Sequence, residues 1–214
     1  MKNNVFFYTG RNKAGNLVGY VSRGTQMFRA YVAAIHNPRT SSQQLQRARL
    51  SYISKLGRIF KYAARIGFHG MATYRKSSEV NAFVHVNIGS LTGSTPEAVT
   101  INPNDILVAY GGRTGASFSS QIDTDSTPGA ISVTITDAST TQEDQVNDKV
   151  YVVAYAPDVE EAVVSAGVAR SADKVEVTYP DKWSGLQVHV YGFVAAPDNS
   201  EASMSVHIGT ANLD

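Results

Sequence analysis

Residues 175–195 read VEVTYPDKWSGLQVHVYGFVA. Val175, Val177 and Tyr179 alternate with Glu176 and Thr178, and Val188, Val190 and Gly192 alternate with Gln187, His189 and Tyr191. A period of two marks strands with one apolar face. PDKWSG between them is a turn, and its single tryptophan, Trp183, is expected to pack partly against the sheet. Other short runs rich in Val, Ile, Thr and Tyr lie between Gly, Pro, Asp and Asn clusters: VNAFVHVNI (80–88), ILVAYG (106–111), AISVTIT (130–136), KVYVVAYAP (149–157), EAVVSAGVA (161–169) and ASMSVHIG (202–209). Strands at this spacing, with no helical period after residue 80, predict an antiparallel β-sandwich of immunoglobulin-like type over residues 81–214.

Working back toward residue 1, the pattern changes. NVFFY (4–8), NLVGYVS (16–22) and TQMFRAYVAAI (25–35) read as a basic β-ribbon with glycine-bounded turns. Pro38 ends it, and Ser41 with Gln44 has capping-box spacing. Leu45, Ala48, Tyr52, Ile53, Leu56, Ile59, Phe60, Ala63 and Ile66 then recur at three- and four-residue steps. Arg47, Lys55, Arg58, Lys61 and Arg65 fall on the opposite face. The expectation is one long amphipathic helix of about seven turns. Gly57 is a candidate bend, and Gly67 and Gly70 are available for left-handed geometry at its end. Arg49 points into the apolar face and must snorkel or find an acceptor. The fold class is therefore α+β, mainly β: a ribbon-and-helix assembly region over 1–80, then the sandwich over 81–214.

Charge divides at the same place. Residues 1–80 carry fourteen Lys and Arg against one acid, Glu79, a balance of +13. Residues 81–214 carry five against seventeen, a balance of −12. A solvated helix face normally mixes signs. A face without acids suits either nucleic-acid phosphates or the acidic region of a neighbouring copy. Near-equal totals favour the second, since a head-to-tail contact closes into rings or extends into filaments. The expected surface comprises Arg23, Arg29, Arg39, Arg47, Lys55, Arg58, Lys61 and Arg65.

Catalysis is not expected. The chain has no cysteine, no GxSxG and no HExxH, and its glycine-rich runs TGRNKAG and YGGRTG lack the strand-to-helix context of a phosphate loop. His85, His189 and His207 each read as strand residues without a second ligand at metal spacing, and His36 and His69 lie at element ends. Asp123 and Asp125, and Glu143, Asp144 and Asp148, read as polar hairpin tips that lack the spacing of a calcium loop. No cofactor is expected. MKNNVFFYTG has only three apolar residues in a row before Tyr8, too few for a signal peptide, and no apolar run reaches the ~18 residues of a membrane span.

The stretch KAGNLVGYVSRGTQMFRAYVAAIHNPRTSSQQLQRARLSYISKL (13–56) resembles the amino-terminal signature of an uncharacterised family, domain of unknown function 6266. The matching residues are Gly15, Asn16, Val18, Gly19, Arg23, Gly24, Asn37, Pro38, Thr40, Gln43, Gln46 and Arg47. The carboxy-terminal run is similar too, including Pro180, Trp183 and Gly185. Residues 90–145 match less clearly. The family carries no catalytic motif. The resemblance implies a setting in Bacteroidetes or their tailed, crAss-like phages, and a virion structural role. The expectation is a neck or tail ring component around the DNA path, assembled in the host cytoplasm. Its partners would be copies of itself, portal or tail proteins, and packaged DNA in nonspecific contact, with no membrane. The alternatives are a bacterial surface or secreted module binding glycan or protein, and a DNA-associated protein outside the virion.

Overall fold

The structure, a computed structural model, describes residues 11–14, 16–22, 24–34 and 39–213. The expected strand at 4–8 and part of the ribbon's end lie outside the described residues. The chain forms two compact units, Met1–Thr40 and Ser41–Asp214. The boundary expected near residue 80 therefore falls after Thr40. The reason is the core: helices that follow Ser41 bury their apolar face against strands far downstream.

The first unit is an antiparallel ribbon of β1 (Arg11–Ala14), β2 (Leu17–Ser22) and β3 (Thr25–Ala30). Gly24 takes a positive φ of 76° in the tight β2–β3 turn, where a side chain would be strained. Leu17, Gly19 and Val21 pair with Ala30, Phe28 and Gln26 and share one face. The third strand stops at Ala30, short of the expected Ile35.

In the second unit the single expected helix is three, α1 (Ser41–Ile59), α2 (Lys61–Gly67) and α3 (His69–Tyr74), and a further helix, α4 (Glu79–Asn87), follows. The breaks fall at Phe60 and Phe68, both fully enclosed. Phe60 packs on Phe83, Tyr155 and Tyr191, so the helix bends to follow the sheet it covers. Gly57 lies against α4, where a Cβ would stand 3.1 Å from Phe83 and from Val80. Gly67 and Gly70 do not take left-handed geometry. They permit close approach instead: a Cβ on Gly67 would lie 2.7 Å from the Val108 carbonyl, and one on Gly70 2.2 Å from the Ser200 carbonyl.

Helix α4 corrects a strand expectation. VNAFVHVNI fits both periods, but Ser78 Oγ accepts a hydrogen bond from Asn81 N and caps a helix. His85 is thus an exposed helical residue. The run 106–111 is also not a strand. Its backbone is satisfied partly by side chains, with Asn87 Nδ2 donating to Leu107 O, Leu107 N donating to Asn87 Oδ1 and Val108 N donating to Ser205 Oγ, and partly by scattered backbone bonds such as Tyr110 N to Gly67 O.

The remaining strands are short β4 (Leu91–Thr92) and β5 (Thr100–Ile101), then β6 (Ser117–Asp123), β7 (Ala130–Asp137), β8 (Lys149–Ala156), β9 (Glu161–Val164), β10 (Val168–Ala169), β11 (Lys174–Thr178), β12 (Gln187–Ala195) and β13 (Val206–Asn212). All pairings are antiparallel. One sheet runs β10-β8-β12-β13 with β9 also on β8, and a second runs β11-β7-β6. Strand β8 shows how they stack. Val150, Val152, Ala154 and Ala156 enter a core shared with β7 and β11, while Tyr151, Val153 and Tyr155 enter a core shared with the helices. The unit therefore has three layers, helices on one face of the larger sheet and the smaller sheet on the other. The α+β, mainly β, sandwich-like class holds, with a helical layer over the sandwich's outer face. Trp183 is 0% exposed, in a 3₁₀ turn that carries the chain from β11 in one sheet to β12 in the other. Its indole Nε1 donates to Glu161 Oε2 at 3.3 Å, and Tyr179 stacks on its ring.

Candidate assembly surface

The core stripe of α1 and α2 consists of Leu45, Ala48, Tyr52, Ile53, Leu56, Ile59, Ala63 and Ile66. Geometry then forces the residues between them outward. Arg47, Lys55, Arg58, Lys61 and Arg65 are all exposed. Lys55 pairs with Glu160 at the β8–β9 turn. Arg58, Lys61 and Arg65 have no carboxylate within 4 Å among the described residues. Tyr62, 53% exposed, sits among them, with Lys61 Nζ 4.6 Å and Arg65 Cζ 5.7 Å from its ring centre. Helices α1 and α2 thus collect five of the eight expected residues on one face. Arg29 and Arg39 are exposed in the ribbon unit, Arg39 with a φ of 51°, and Arg23 lies outside the described residues. Arg49 finds its acceptor: Nη2 donates to Gly93 O at 3.2 Å.

The β region uses up most of its own bases. Lys174 pairs with Glu176 and Lys182 with Glu161. Arg113 Nη1 donates to Asp148 Oδ1 at 2.9 Å and Oδ2 at 3.1 Å, and Arg170 Nη2 reaches Oδ2 at 3.4 Å. Arg170 also donates to the carbonyls of Gln145, Ala138 and Thr114. Asp148, expected at a solvated tip, is 0% exposed and ties three loops together. Two guanidiniums 22 and 35 residues away decide its burial. At the β6–β7 tip Asp123 accepts from Ser126 N and Asp125 N, and these bonds, with the Ser126 side chain first, hold its carboxyl below the usual range. Among the described residues no group of three or more His, Cys, Asp or Glu could hold a metal.

Two sites escaped the sequence reading. His189 on β12 and His207 on β13 meet, Nδ1 to Nε2 at 3.3 Å, and burial lowers the pKa of both. The only sequence signal was the shared pattern of a histidine between apolar strand residues. The second is a cleft lined by Gly70, Met71, Tyr74, Tyr110, Gly111 and Glu201, where Tyr74 is 89% exposed. No helix among the described residues is long and apolar enough to cross a membrane.

Comparison with curated proteins finds no match, and comparison with solved structures finds none. The model of a Family of unknown function (DUF6266) matches residues 8–209, which takes in the ribbon, the basic helices and both sheets, and the chain belongs to that family.

Proposed function

We propose that the protein is a structural assembly protein, not an enzyme, whose basic helical face docks on the acidic β region of the next copy. The observation that carries this reading is the exposed trio Arg58, Lys61 and Arg65, without a carboxylate within 4 Å among the described residues, in a chain whose β region holds twelve more acids than bases. Lys55–Glu160 is the same contact made within one chain. The ribbon adds apolar surface at Leu17, Val21, Met27 and Val32, each about half exposed. A head-to-tail contact of this kind closes into a ring where its rotation closes, and otherwise extends into a filament. In the setting that the sequence resemblance implies, that ring belongs to the neck or tail of a phage particle. Portal or tail proteins are then its neighbours, and packaged DNA touches it only through phosphates.

Mass photometry across a salt series tests the assembly. A discrete oligomer is expected at low salt and should weaken as salt rises, since exposed charges are screened beyond ~10 Å at 0.1 M. Reversing Arg47, Arg58 and Arg65 to Glu should give a folded monomer. An oligomer that survives the reversal, or a monomer at every salt, refutes the reading. A second reading, a surface module that binds glycan or protein, is favoured by one feature. The Tyr74–Tyr110 cleft presents two exposed aromatic rings with the Glu201 carboxylate among its lining.

A further inference from the structure

The histidine pair is built by a β-bulge. Along β12 and β13, Gln187 pairs with Asn212, His189 with Thr210 and Val190 with Gly209, but Tyr191 pairs with His207. The register slips between Val190 and Tyr191. A regular ladder would set Ile208 opposite Tyr191 and turn His207 to the other face of the sheet. The extra residue in β13 instead brings His207 onto the face of His189. Ile208 packs into the core between the sheets, while the His207 ring meets Tyr191 edge-on at 5.1 Å. Tyr191 is fixed in turn, its hydroxyl donating to Pro103 O at 2.9 Å. Tyr155 stands across from His189 on β8. The two imidazoles are therefore held by packed neighbours and remain partly open to solvent.

We propose that His189 Nδ1 and His207 Nε2 are the two protein ligands of a site for a borderline divalent transition metal, Zn²⁺ or Cu²⁺, with water in the remaining positions. Two nitrogens each about 2.0–2.1 Å from a tetrahedral metal lie about 3.3 Å apart. The observed separation is 3.3 Å, with the rings tilted 45° to one another. The same separation accommodates an N–H···N hydrogen bond between neutral rings. On metal binding that proton moves to the other nitrogen of its own imidazole, so both rings stay neutral and turn their free nitrogen lone pairs toward the metal. Neutral imidazole is the ligating form. The metal joins β12 to β13, the last strand of the larger sheet. The inference is independent of the assembly reading, since it uses no residue of the basic face.

The test uses the full chain without an affinity tag, stripped with a chelator and titrated by calorimetry with Zn²⁺ and Cu²⁺. One metal per chain is expected, and His189→Ala and His207→Ala should each weaken binding by about tenfold or more. Equal affinity in the wild type and both variants overturns the proposal, as does the absence of a binding heat with either metal. Electron paramagnetic resonance of the Cu²⁺-loaded wild type needs no variant to fold. Hyperfine coupling to two imidazole nitrogens is expected, and fewer than two overturns the assignment.

Discussion

Replacing Asp148 with Ala removes the one carboxylate that two enclosed guanidiniums share. Asp148 is 0% exposed, and the side chains of Arg113 and Arg170 are 12% and 5% exposed. Breaking a buried pair by deleting one partner costs about 3–5 kcal/mol, because the remaining charge stays buried. Here the lower end applies. Arg170 keeps its bonds to the carbonyls of Gln145, Ala138 and Thr114, so its donors are not orphaned. Arg113 keeps only a 3.3 Å bond to Asp144 O and the looser carboxylates of Asp144 and Glu201 at 3.8 and 3.7 Å. Two like charges then face each other without the anion between them. The expected loss is about 3 kcal/mol, and at roughly 2–4 °C per kcal/mol for a chain of this length the midpoint falls by about 6–12 °C. Urea denaturation measures it, with the midpoint moving and the slope unchanged. Glu160→Gln, which breaks the exposed pair with Lys55, serves as the control and should cost less than about 1 kcal/mol. A loss below about 1 kcal/mol for Asp148→Ala would refute the reasoning, since a surface tip rather than a buried junction would then describe this carboxylate.

Two other outcomes follow from the layers and from the histidine pair. A fragment 41–214 should fold cooperatively, because both cores lie wholly within it, whereas a fragment beginning at residue 81 should bind a hydrophobic dye and aggregate. The shorter fragment strips the helices from Tyr151, Val153, Tyr155 and Phe193, and circular dichroism with dye fluorescence separates the two cases. Stability should fall below about pH 6.5. Unfolded His189 and His207 take up protons near that value, while burial holds both folded pKa values lower, and the charge of His207 lowers that of His189 further. Their contribution is therefore complete above the unfolded pKa and lost as pH drops through the folded one. The facing Tyr155, pushed up to about 12, and Tyr191, pushed up further, do not titrate in this window. Measured with chelator present at both ends of the window, the double variant His189→Gln/His207→Gln should show a shallower decline. An identical decline would rule the pair out as its source.

What the sequence determined by itself is what short-range periodicity encodes. Alternation located β7, β8, β11 and β12, and the three- and four-residue steps after Ser41 separated the core stripe from the basic face before any contact was known. The segregation of charge was visible by counting. The tertiary structure decided what depends on partners distant in the chain. VNAFVHVNI satisfies both periods, and its helix is fixed by the Ser78 cap and by the fit of Phe83 against Gly57. The long helix breaks where Phe60 must meet Tyr155 and Tyr191, residues more than ninety positions away. Asp148 looks like any loop carboxylate until Arg113 and Arg170 arrive from other loops to bury it. His207 faces His189 because one extra residue slips the β12–β13 register. Register is a property of two strands together, so no pattern within either strand encodes it.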